Sequence, residues 1–158
     1  MGIRGHARRF GGLALFVVAA SAAVSAPVLA DQTFHTERIA LESVIGAPLQ
    51  SGFVIDIHAN GPEIYAHERY VLNGAAPNTT YQVSVLIYAF DPTCATTPIV
   101  IPEATLVTNS TGNGTAEKFF APSDVPPALR GATHGLVWQV SSGGEVVYQT
   151  ECTPVALD

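Results

Sequence analysis

Four histidines lie beyond residue 30, at His35, His58, His67 and His134, and they are the first side chains to question for chemistry. Two of them flank a turn. The stretches "GFVIDIHA" (52–59), "NGPE" (60–63) and "IYAHERYVL" (64–72) read as strand, turn and returning strand. Gly61 tolerates positive φ there, and Pro62 cannot continue a ladder. Counting back from that turn sets Asp56 roughly opposite His67, with His58 beside the turn near Glu63. Imidazoles and a carboxylate converging on one sheet face suit zinc or copper. His58, His67 and Asp56 are therefore the candidate metal ligands, and a metal-binding or hydrolytic sandwich is the alternative reading of the chain. Against it, no two histidines share a close strand spacing such as i, i+2. A solvated cross-strand pair explains the same residues at about 0.2–1 kcal/mol. The expectation is no metal and no cofactor.

Other reactive patterns are weaker still. There is no G-x-S-x-G elbow, and Ser141-Ser142-Gly143-Gly144 is turn chemistry. No glycine loop is built to cradle phosphate. Thirteen acidic residues offer many pairs of carboxylates, and nothing in the spacing selects one. No catalytic residue is expected. The two cysteines, Cys94 and Cys152, lack a C-x-x-C or metal spacing. In a chain bound for an oxidising compartment they are expected to pair with each other, which the chain-entropy model values at ~4 kcal/mol.

That compartment is inferred from residues 1–30. Arg4, Arg8 and Arg9 precede an apolar run from Leu13 to about Ala23, and small residues lead on to Val28-Leu29-Ala30. The pattern reads as an export signal cleaved after Ala30, since the apolar run falls short of the ~20 residues of a comfortable bilayer span. Cleavage would leave Arg38, Arg69, Lys118 and Arg130 against all thirteen acidic residues, a formal charge of −9. That field disfavours nucleic acid and anionic membrane as partners. Residues 31–158 suit one domain with one core, secreted or periplasmic, with no stable membrane insertion.

Alternation of apolar and polar residues dominates this part, and no helical period of useful length occurs. A first, irregular strand is expected over 33–45. "TYQVSVLIYAF" (80–90) is the best strand, with Tyr81, Val83, Val85 and Ile87 on one face. "IVIPEATLVT" (99–108) reads as an edge strand because Pro102 interrupts it. "TAEKFFA" (115–121) follows a turn, and the proline-rich 122–133 has room for one helical turn. "HGLVWQVSS" (134–142) and "EVVYQTECT" (145–153) make a hairpin about Gly143-Gly144. These seven or eight strands predict an all-β, antiparallel sandwich. If Cys94 and Cys152 are bridged, their strands end at one pole, on facing sheets or separated within one.

The segment "LNGAAPNTTYQV" then has a physical account. The chain crosses from one sheet to the other, Pro77 fixing φ and Asn78 accepting turn geometry. Tyr81 opens a buried strand with its hydroxyl free to return to the crossing backbone. Leu72, Pro77, Thr80, Tyr81, Val83 and Val85 resemble the tyrosine corner of fibronectin type III and immunoglobulin-like modules. The resemblance spans about residues 72–87 and implies a sandwich of that kind. Trp138 shares a face with Leu136 and Val140 and is expected in the core.

Exported sandwiches of this kind most often bind through loops or a sheet face. Tyr65, Tyr70, Tyr88, Phe90 and Tyr148 would serve a protein or glycan partner where exposed, and the core where buried. Asn78, Asn109 and Asn113 each open an N-x-[ST] sequon. The expected function is a non-catalytic interaction or structural module.

Overall fold

A computed structural model describes residues 35–58 and 66–157, all within one compact unit, Asp31–Asp158. The expected export signal, the turn at 60–63 and Tyr65 lie outside the described residues. So do the side chains of His35 and His58.

The fold is an antiparallel β-sandwich. One sheet has four strands, β1 (His35–Ala40), β3 (Ser51–His58), β4 (Ala66–Asn73) and β7 (Gly114–Phe120), ordered β1-β3-β4-β7. The other has six: β2 (Glu42–Ser43), β5 (Thr80–Tyr88), β6 (Ile99–Val107), β8 (Ala132–Ser142), β9 (Glu145–Gln149) and β10 (Thr153–Leu157). Its order is β2-β9-β8-β5-β6, with β10 also paired to β8. A 3-10 turn spans Pro127–Leu129 in the proline-rich connection. Among the described residues, no helix is long and apolar enough to cross a membrane.

Alternation places the core as expected in β5, where Tyr81, Val83, Val85 and Ile87 all point inward and are buried. Leu136, Trp138 and Val140 lie beside them on β8, and Val54, Tyr70 and Leu72 face them from the four-stranded sheet. Each such aliphatic side chain contributes ~1.5–3 kcal/mol relative to its exposed state.

Two expected strands divide. The segment 33–45 gives β1 in one sheet and β2 in the other, because Leu41 turns into the core while its N–H bonds Gly52 O at 2.9 Å. Val44 N then reaches Val147 O on β9 at 2.9 Å. The segment 145–153 breaks after Gln149, so β9 pairs the second half of β8 and β10 the first. Cys152 sits at that break and bonds Cys94, just past β5, with Cα atoms 6.0 Å apart. Strands β5 and β9 are thus separated within one sheet by β8, one of the two arrangements the bridge allowed. The bridge packs over Gly135 of β8, where a Cβ would lie 2.6 Å from Cys94 Sγ.

The crossing from β4 to β5 runs through residues 74–79, with Asn78 at φ 49°. Thr108 pins it: its hydroxyl donates to Ala76 O at 2.7 Å and accepts from Thr79 N at 3.0 Å. Ala75 N and Asn78 N add bonds to Gly112 O and Asn109 O. Tyr81 packs against Tyr148, ring centroids 5.8 Å apart, and the Tyr148 hydroxyl donates to Pro48 O at 2.8 Å. In the turn beside the crossing, Asn109 Oδ1 accepts from Thr111 N and Asn113 N, and Asn113 Oδ1 accepts from Gly74 N.

Candidate functional site

The metal-ligand candidates do not converge. In the β3–β4 ladder Asp56 lies opposite Glu68, and His67 lies opposite Ile57. The register differs by one residue from the count based on the turn, and one residue in a strand reverses the face. Asp56 points into the sandwich, 3% exposed. His67 points out, stacked on Phe119 with ring centroids 4.0 Å apart and Nε2 3.6 Å from Glu117 Oε2. The position of His58 is opposite that of His35. His134 is fully buried with both ring nitrogens engaged, Nδ1 accepting from Phe90 N at 3.0 Å and Nε2 2.7 Å from Leu129 O. Among the described residues, no three His, Cys, Asp or Glu side chains are gathered as a metal site.

A different constellation occupies the interior. On the inner side of the four-stranded sheet, Glu37, Asp56, Glu68 and Lys118 are neighbours in register, one from each strand; Asp56 and Glu68 are buried, Lys118 is half-buried and Glu37 is exposed at the edge strand. Glu103 meets this row from the opposite sheet. The β5–β6 ladder pairs Val83 with Ala104 and Ser84 with Pro102, leaving Glu103 as the extra residue of a β-bulge. A bulge re-aims a side chain, and here it turns a carboxylate inward on an edge strand. Glu103 is 9% exposed, and neither of its buried carboxylate oxygens has a hydrogen-bond partner.

These acids border a cavity of about 50 Å³. Asp56, Glu68, Glu103 and Asp124 supply its polar wall, while Val85, Ile87 and Leu136 supply apolar lining. Phe120, Val125, Pro126 and Leu129 belong to β7 and the proline-rich connection that follows it. Glu68 accepts hydrogen bonds on Oε2 from Trp138 Nε1, at 2.8 Å, and from the Tyr70 hydroxyl.

Burial, reinforced by the neighbouring Asp56 charge, pushes the Glu68 carboxyl up to about 8 against the pull of its two donors. Burial likewise raises Glu103 to about 7, with Lys118 opposing the shift and Asp124 adding to it. The Tyr70 hydroxyl is driven upward by burial and by Glu68. The interior therefore holds two carboxyls, Glu68 and Glu103, whose proton affinity is raised toward neutral pH.

The outer face of the same sheet carries the side chains that would ordinarily be core. Phe53, Ile55 and Ile57 of β3 lie outward, joined by Val71 of β4 and by Phe119 of β7, which is 53% exposed. Arg38 stacks its guanidinium 3.9 Å from the Phe53 ring centroid, and Arg69 reaches Glu117 at 3.5 Å. Of the aromatics considered for binding, Tyr70 and Tyr148 are wholly buried, Tyr88 is half-buried and Phe90 is 62% exposed.

Glu68 and Glu103 were not singled out by sequence. The signal for Glu103 was Pro102 beside an acid in an otherwise apolar strand, which marks an irregularity without giving its direction. For Glu68, an acid between buried positions of β4 is indistinguishable from a solvent-facing one until the register is known. The chain matches no family model, no curated protein and no solved structure.

Proposed function

We propose that the chain is an exported, non-catalytic interaction module that docks a protein partner on the outer face of the four-stranded sheet. The observation that carries this reading is the apolar surface of Phe53, Ile55, Ile57, Val71 and Phe119, on a sheet whose other face already contributes the core. Antiparallel sheets with one wet face normally show polar residues there; here half-buried Phe53, Ile55, Ile57 and Val71 adjoin the exposed Phe119, and a contiguous apolar patch of this kind marks an interaction site. Phenylalanine and aliphatics without a polar handle suit protein better than glycan.

The charges refine the partner. Arg38 and Arg69 both lie on this face of an otherwise acidic chain. A protein surface with an apolar centre and an acidic rim complements them. Export is supported by the composition of residues 1–30 and by the Cys94–Cys152 bridge. The immunoglobulin- or fibronectin-like assignment rests on Tyr81 entering β5 directly from the sheet-crossing segment. The metal-binding or hydrolytic alternative loses its support with Asp56 and His67 on opposite faces.

Immobilised protein challenged with conditioned medium tests the reading. A partner should be retained by wild type, eluted by salt, and lost in Phe119→Ser and Arg69→Glu variants that melt with the wild type. Equal capture by both variants would sink the proposal. Concentration-dependent dimerisation abolished by the same substitutions would replace the foreign partner with a second copy of the chain.

A further inference from the structure

The cavity between the sheets lies on the other side of the four-stranded sheet from the docking face and carries its own argument. Its walls are hydrocarbon except for four carboxyls, Asp56, Glu68, Glu103 and Asp124, of which Asp56 and Glu68 are 3% and 4% exposed. Glu68 is already held by Tyr70 and Trp138. Glu103 is not: it lines the cavity, and both its oxygens are buried and lack a donor. A buried acceptor without a donor costs about as much as a lost hydrogen bond, yet β6 takes a bulge at this residue.

We infer that the cavity is a binding site for a small aliphatic ammonium ion, whose N–H groups donate to Glu103 and whose short hydrocarbon tail lies along Val85, Leu136 and Phe120. An ammonium supplies the donors Glu103 lacks and a positive charge for its carboxylate. The volume agrees. About 50 Å³, at ~10–15 Å³ for each water-sized atom, holds a nitrogen and two or three carbons.

Two other occupants fit less well. A metal ion needs several oxygen ligands around one point, and the described residues gather no such set. Water alone could supply donors to Glu103 but leaves the apolar lining unused. Lys118 acts on Glu103 through space; its amine stands 5.5 Å over the Phe120 ring, and Glu103 gains no hydrogen bond.

Trp138 provides the readout, being the single tryptophan of the chain and a donor to Glu68 on the polar wall. Calorimetric titration of the purified protein at pH 7.5 with n-propylammonium chloride should saturate at one site, with an affinity of roughly millimolar order for so few atoms. Indole emission should shift over the same concentrations. Methylammonium should bind more weakly, and tetramethylammonium, which has no N–H, should not bind at all. Glu103→Gln should weaken propylammonium by about tenfold or more, the loss of a charged acceptor.

Absence of saturation would overturn the inference and leave a wet cavity. Calcium or zinc binding in place of the amine would overturn it in favour of a metal, and equal binding by Glu103→Gln would remove the site. Should that variant fail to fold, wild-type melting decides: a rise with propylammonium and none with tetramethylammonium supports the site, and equal responses refute it. Capture on the outer face is unaffected by either result.

Discussion

Trp138 of β8 donates its indole N–H to Glu68 of β4 at 2.8 Å, a hydrogen bond that ties one sheet of the sandwich to the other. The largest core side chain thus spends its polar atom on a buried acid, and Tyr70 does the same from the next inward position of β4. Two donors on one oxygen fix the carboxyl in place. They do not cancel the cost of burying its charge, because the group still takes its proton near pH 8.

That imbalance sets the direction of pH dependence. Glu68 rises from 4.5 to about 8 and Glu103 from 4.5 to about 7 on folding. Between those values the folded state holds protons that the unfolded chain has released, so stability falls as pH rises through the window and levels off above it. Taking ~1.4 kcal/mol per pH unit for each group, urea unfolding at pH 7.5 should give ~2 kcal/mol less than at pH 5.5 for Glu68 alone. Glu68→Gln should flatten that slope. A wild-type stability that climbs across this window would contradict the buried-acid account.

The disulfide closes a long loop, Cys94 to Cys152 at a separation of 58 residues. Replacing both cysteines by serine should cost ~4 kcal/mol if the cost is chain entropy alone. Chemical denaturation of the double variant measures it. A loss below ~1 kcal/mol would mean that the β9–β10 break is held by its ladders to β8 and not by the bridge.

Gly135 reports on the same pole by another route. A methyl there would meet Asp91 O at 2.5 Å and Cys94 Sγ at 2.6 Å, so the bridge and the loop it anchors sit directly on the β8 backbone. Gly135→Ala should destabilise by ~1–3 kcal/mol, the usual range for overpacking. In the serine double variant part of that cost should vanish, because contacting sites couple. Additive losses would show that Asp91, not the sulfur, sets the closeness.

The strands, the sheet-crossing at Pro77 and Asn78, the core tryptophan and the bridge were legible because each depends on local chemistry or simple pairing. Periodicity finds the strand, proline and asparagine find the turn, and an even cysteine count finds the partner. The site was not legible, for two physical reasons. A hairpin turn located only to within a residue leaves the register open, and Asp56 was consequently matched with His67 when it faces Glu68. The bulge at Glu103 is a mismatch between two strands and cannot be read from one of them.

Strand β3 makes the sharpest case, because its more apolar face is turned outward. Phe53, Ile55 and Ile57 alternate with Gly52, Val54 and Asp56, and hydrophobicity alone would bury the first set. The buried set is the second, with Val54 wholly inaccessible and packed in the main core beside Tyr70 and Leu72. Paired substitutions separate the two orientations. Val54→Ala should cost ~2–3 kcal/mol through lost burial and the space left behind. Ile55→Thr keeps β-branching on the outer face and should cost less than ~1 kcal/mol, while weakening capture of a partner by that face. The reverse ranking of the two variants in thermal melts would mean that β3 sits one residue out of register, and with it would fall both the outer docking surface and the acid-lined interior.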